Sequence, residues 1–140
     1  MEFGSVYAWK EEYNVGISPF DKAHRQIVDL MNQLMLGGYP DGDTPLLHDV
    51  LGEMTNYFME HIKEEEIYLK SINFPEFDEH KRQHDQFIGH TARFCTQALQ
   101  RKSGLGREVY NFLEKWFLEH ILVEDMKYKV EHPQAMLHKV

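Results

Sequence analysis

Nine histidines stand in 140 residues, more than ordinary usage supplies, and their spacing is regular. His61 and Glu65 are four apart, as are His80 and His84. On a helix, four steps of about 100° bring two side chains to one face, one turn apart. Imidazole nitrogens and carboxylate oxygens so placed can converge on one cation. His24 and His120 are single candidates, and Glu124 and Asp125 lie just beyond His120. Each feature alone has an ordinary explanation. A His61/Glu65 pair is commonly a surface ion pair, and the run Glu64-Glu65-Glu66 reads as a solvated acidic face. His24 or His120 alone reads as a core imidazole satisfied by a carbonyl.

The elements that must position these groups are punctuated by glycine and proline. Ser18-Pro19 predicts a helix start, with Ser18 as cap and Asp21 completing a capping-box-like pattern. Ile27, Leu30, Met31 and Leu34 then recur at three and four. Gly37-Gly38-Tyr39-Pro40-Asp41-Gly42 ends this helix, and Thr44-Pro45 starts a second that continues to about Lys70. Asn73-Phe74-Pro75 breaks the chain before a third helix, from about Pro75 to Arg101. Ser103-Gly104-Leu105-Gly106 breaks it again before a fourth, from about Arg107 to Val130. No strand pattern is evident. The fold class predicted is all-α: an antiparallel up-and-down four-helix bundle. Residues 1–17 are read as an N-terminal arm on the bundle, residues 18–130 as the bundle itself and residues 131–140 as a tail, all within a single domain.

Taken together, the candidates change meaning. Each lies on or beside the apolar stripe of its own helix: His24 precedes Ile27 by three, His84 precedes Phe87 by three, and His120 follows Trp116 by four. Burying several imidazoles costs free energy unless they have partners. Coordination to a metal supplies them. Five imidazoles and at least two carboxylates exceed the four ligands of a tetrahedral zinc. Nitrogen and oxygen donors without thiolates suit iron or manganese in a two-metal, carboxylate-bridged arrangement. The Glu-x-x-His repeats of ferritin-like bundles are absent, with Asp21-x-x-His24 the nearest match, and so is His-Glu-x-x-His.

The order His24, His61-x3-Glu65, His80-x3-His84 and His120-x4-Asp125 resembles the hemerythrin family of non-haem di-iron proteins, in its bacterial single-domain form. The flanks agree: Trp9 followed by Val15-Gly16-Ile17, Asp21-Lys22-Ala23-His24, Phe74-Pro75-Glu76, and Trp116-Phe117-Leu118-Glu119-His120-Ile121. The resemblance covers about residues 7–130. It departs at Ile62, where a phenylalanine is usual, and at Phe74, where a tyrosine is usual. It implies that His80, His84 and His120 hold one iron. His24 and His61 would hold the other, which keeps an open position. Glu65 and Asp125 would bridge the two irons, with a solvent-derived oxide or hydroxide. The function implied is reversible dioxygen binding for carriage, storage or delivery, with small anions such as azide admitted to the same position. A di-iron enzyme processing peroxide or nitric oxide, and an oxygen or redox sensor, are the alternatives on this scaffold. By position, Ile27, Ile62, Trp116, Phe117 and Ile121 wall the pocket, although ordinary core packing accounts for the same five. Neutral imidazoles dominate the set, which disfavours high-valent iron and so favours binding over oxidation.

Spacing and resemblance disagree at one residue. Regular helix geometry nominates Glu124, four residues and about 40° from His120, as the second bridging carboxylate. The resemblance nominates Asp125, about 140° around in a regular helix. A π-type bulge would close that gap. Asp125 is the expectation, with Glu124 turned outward.

Composition closes off other classes. Acidic residues outnumber basic ones 23 to 15, for a net charge of −8, a poor match to nucleic acid or an anionic membrane. Cys95 is the only cysteine, which excludes an intrachain disulfide and multi-thiolate clusters. No apolar run approaches the roughly 20 residues of a spanning helix, and the start lacks a signal-peptide pattern. A cytoplasmic monomer is expected. His48, His90, His132 and His138 are read as surface or structural, and Cys95 as a buried thiol or a bystander.

Overall fold

The computed structural model describes residues 6–41 and 44–130, and these are helical with no strand among them. Helix α1 spans Ser18–Leu36. Helix α2 begins as Pro45–Tyr57, passes through a π-helical turn at Phe58–Ile62 and continues as Lys63–Ser71. Helix α3 spans Phe77–Leu99. Helix α4 begins as Leu105–Lys115, becomes π-helical over Trp116–Glu124 and ends in a 3-10 turn at Asp125–Tyr128. Short connections between four helices of this length make a bundle.

The helix starts differ from expectation in instructive ways. Ile17, in extended conformation, is the N-cap of α1, and Ser18 is already helical. No side chain caps α1; Asp21 instead accepts the backbone N–H groups of Val15 at 2.6 Å and Gly16 at 3.2 Å, ahead of the helix. An acid in the first turn complements the helix dipole, and these two bonds fix the path of the chain into the helix. Thr44 does cap α2 by position, but its hydroxyl donates to the Asp41 carbonyl at 2.8 Å instead of bonding into the helix. Helix α3 begins two residues after Pro75 and ends before Arg101, which has φ 56°. Helix α4 starts two residues earlier than Arg107, and the glycines there do separate jobs. Gly104 caps with φ 75°, while Gly106 is inside the helix and presses on Pro40, whose carbonyl oxygen would lie 2.0 Å from any added Cβ.

Two apolar clusters fill the interior. The larger includes Ile27, Leu34, Met54, Phe87, Leu113 and Phe117. The smaller is built on Val15, Phe20, Leu69 and Tyr128. Along every helix the histidines and carboxylates fall between members of the two: Phe20, His24, Ile27 on α1; Tyr57, His61, Glu65, Leu69 on α2; Phe77, His80, His84, Phe87 on α3; Phe117, His120, Asp125, Tyr128 on α4. The polar layer is therefore sealed by hydrocarbon at both ends. Upstream of α1, Tyr7 and Asn32 exchange two hydrogen bonds of 2.9 Å, and the rings of Tyr7 and Tyr13 meet Phe117 edge-on at 5.6 Å. Among the described residues, no helix is long and apolar enough to cross a membrane.

Candidate metal centre

His24, His61, Glu65, His80, His84, His120 and Asp125 all meet in this layer, and each is at most 4% exposed. Their donor atoms form two overlapping sets: Glu65, His80, His84, His120 and Asp125 in one, His24, His61 and Glu65 in the other. The carboxylates divide between the sets oxygen by oxygen. Glu65 Oε1 lies 2.8 Å from His80 Nε2 and 2.9 Å from His84 Nε2, while its Oε2 lies 3.3 Å from His61 Nε2 and 3.5 Å from His24 Nε2. Asp125 repeats the division: Oδ1 is 2.9 Å from His80 Nε2 and 3.1 Å from His120 Nε2, and Oδ2 is 3.1 Å from His24 Nε2.

These distances are short, yet most are not hydrogen bonds. The Nε2 atoms of His24, His61, His84 and His120 and both oxygens of Asp125 are buried without a hydrogen-bond partner. Buried donor atoms that crowd together without hydrogen-bond geometry point at a common third body. Neighbouring ligands held at about 2.1 Å around one ion stand roughly 3 Å apart, which matches the observed separations. Leaving buried polar atoms unsatisfied costs about 1–3 kcal/mol each, and several such atoms would consume the stability of an ordinary domain. The donor set, imidazole and carboxylate without sulfur, fits a first-row divalent cation.

A further ring of side chains orients the histidines. His84 Nδ1 lies 2.8 Å from Glu66 Oε2, and His120 Nδ1 lies 2.7 Å from Gln83 Oε1. Both oxygens can only accept, so Nδ1 carries the proton and the inward Nε2 is free to coordinate. Tyr128 donates its hydroxyl to Glu65 Oε2. Burial opposes ionisation of Glu65 and Asp125, but the surrounding imidazoles win and hold both carboxyls well below their usual range. Burial likewise opposes protonation of His24 and His80. Asp125 and Glu65 nevertheless raise them to about 9 and about 10 in the metal-free chain.

The π-helical segment decides which of the two carboxylates enters the buried layer. Its i→i+5 hydrogen bonds bring the fifth residue round to the face of the first, so Asp125 is fully buried beneath His120. Glu124 is half-buried and pairs with Lys127 at 3.1 Å. The acidic run is not a uniform solvated face. Glu64 is exposed, Glu65 is in the centre and Glu66 orients His84. Ile27, Ile62, Trp116, Phe117 and Ile121 are all buried in the larger apolar cluster, and Trp116 stacks on His120 at 3.8 Å. His48 is exposed, and His90 is half-buried against Phe112 at 4.7 Å. His132 and His138 lie outside the described residues, as do residues 1–5 and the tail. Sequence reasoning missed Glu66, Gln83, Tyr57 and Tyr128. Tyr57 stands four before His61 and Tyr128 three after Asp125, spacings that put both on a ligand-bearing face; Glu66 and Gln83 carry no comparable signal.

Fold and site together define a helical-bundle protein that encloses a buried cluster of histidines and carboxylates able to hold a cation. The sequence profile of the hemerythrin HHE cation binding domain matches residues 15–130, and the chain belongs to that family. It is 29% identical over 127 residues to a bacteriohemerythrin of Clostridium acetobutylicum, covering 88% of this chain and 98% of the relative. A bacteriohemerythrin of Stenotrophomonas maltophilia is 27% identical over 124 residues, with 89% and 80% covered. A hemerythrin-like protein of Naegleria gruberi is 28% identical over 125 residues, with 89% and 92% covered.

Proposed function

We propose that this chain binds dioxygen reversibly at a pair of iron ions, for carriage, storage or delivery. The observation that carries the proposal is the division of each carboxylate between two unequal histidine sets. His80, His84 and His120 crowd one set, while His24 and His61 alone serve the other. Glu65 and Asp125 would bridge the pair, and the set with fewer histidines would leave a position for an exogenous ligand. An iron pair, when bound, supplies two electrons that dioxygen can accept and return.

The chain's own residues supply the rest. Neutral imidazoles outnumber carboxylates, so little negative charge is available to stabilise iron in the high oxidation states that attack substrates. Ile27, Ile62, Phe117 and Ile121 are at most 2% exposed, so water is kept from the pocket side. Glu66 and Gln83 hold His84 and His120 in the tautomer that coordinates. The test is iron analysis combined with visible spectra of the reduced protein before and after air. Two irons per chain, one for each donor set, and a spectrum that returns on deoxygenation are expected. One iron, or one zinc, in a fully loaded preparation would overturn the reading. Replacing Ile121 by asparagine should admit water and speed autoxidation several-fold; an unchanged rate would show that Ile121 does not guard the pocket.

A further inference from the structure

Resting on that reading, we infer that the Tyr57 hydroxyl donates a hydrogen bond to the small ligand held at the His24/His61 position. It would be a polar contact in a pocket otherwise walled by apolar side chains. Tyr57 is 4% exposed and stands one helical turn before His61 on α2. Its ring lies 4.9 Å from the His61 ring on one side and 5.1 Å from Phe87 on the other. The phenol oxygen accepts the Trp116 indole N–H at 3.2 Å.

An indole nitrogen only donates. The proton on Tyr57 therefore cannot go to Trp116, and no other described residue accepts it. A buried hydroxyl donor without an acceptor is a cost that folds seldom retain without a use. The hydroxyl is also held in place. Trp116 is clamped by its stack on His120, at 3.8 Å and 13° between planes, while the Tyr57 ring rests on His61. Tyr57 and Trp116 thus each rest on a histidine of a different donor set, and their hydrogen bond spans the join between the sets. It does so on the side of the larger apolar cluster, where Ile62, Phe117 and Ile121 gather. The ligand class that exploits the hydroxyl is small, with a lone pair at the end remote from the metal: dioxygen, or azide among anions.

Tyr57→Phe removes one oxygen and keeps the ring. Azide titrated into the oxidised, iron-loaded protein and followed in the visible range should bind about tenfold more weakly to this variant, the loss of one hydrogen bond to a charged acceptor. Iron content should stay the same. The infrared stretch of bound azide should shift between H2O and D2O in the wild type and lose that shift in Tyr57→Phe, which a purely structural role would not produce. Azide affinities equal within about twofold, or an isotope shift that survives in the variant, would overturn the inference and leave the dinuclear reading intact. Loss of iron from Tyr57→Phe would also overturn it, in favour of a structural role. A fully loaded wild type with a single iron would defeat the underlying reading, and the inference with it.

Discussion

Asp125 and Glu65 are both fully buried, and among the described residues neither has a lysine or arginine partner. Only imidazoles and the Tyr128 hydroxyl meet them, and most of those imidazole nitrogens lack hydrogen-bond geometry. Removing one such carboxylate should be felt at the metal before it is felt in the fold. Asp125→Ala is expected to lose one or both irons on desalting, because each donor set forfeits an oxygen. Glu124→Ala should retain nearly full iron, since Glu124 faces Lys127. Iron per chain, measured by elemental analysis, decides between them; the reverse outcome would show that regular helical spacing was the better guide. Six of the seven central residues were legible from type and local spacing, whereas spacing pointed to Glu124 and only the family resemblance pointed to Asp125. Glu66 and Gln83 were not legible. Gln83 meets His120 across 37 residues, a tertiary pairing invisible to periodicity, and Glu66 was masked by the acidic run around it.

At the scale of elements, the departures from regular helix matter most. From Tyr57 to Leu69 the inward residues of α2 step 57, 61, 65, 69, always by four. A regular helix drifts about 40° per such step, or roughly 120° in all, which would carry Leu69 off the core. The π-turn at Phe58–Ile62 absorbs part of the drift by widening one turn. On α4 the inward steps Leu113, Phe117, Ile121, Asp125 pose the same problem, and the π-segment Trp116–Glu124 absorbs it. Both irregular turns sit beside the centre, where such bulges recur. A register test follows. Moving the carboxylate back one place, with Glu124→Asp and Asp125→Ala together, should bind iron no better than Asp125→Ala alone, because position 124 faces Lys127 in the widened helix. Recovery of full iron in the double variant would mean that α4 relaxes to a regular helix once the metal asks it to. The helices and their order were readable from glycine, proline and apolar spacing. The start of α1 was not, since Ser18 and Asp21 both qualify by type as caps, yet neither side chain caps the helix.

For the whole molecule, all four helices meet in polar contact at the centre, so metal and stability must be linked. The metal-free chain already has partial substitutes: protons. His24 and His80, raised to about 9 and about 10 by Asp125 and Glu65 against the opposing effect of burial, take up protons on folding. Their contribution is fully present below the unfolded histidine value near 6.5 and is lost as pH rises through 9 to 10. Glu65 and Asp125 are depressed, so theirs is present above about 4.5 and lost on acidification. His120, lowered by burial, works against the other two histidines by favouring higher pH. The metal-free protein should therefore melt highest near pH 5–6.5 and lose stability toward pH 9–10. Metal binding has the opposite sign, because it requires unprotonated imidazoles and releases their protons. The gain in Tm on adding iron, measured anaerobically by calorimetry at fixed ionic strength, is expected to be small near pH 6 and to grow steadily to pH 9. A gain that is flat or falls over that range would show that the histidines of the metal-free centre are neutral. The crowded donors would then be held apart by packing of the two apolar clusters alone.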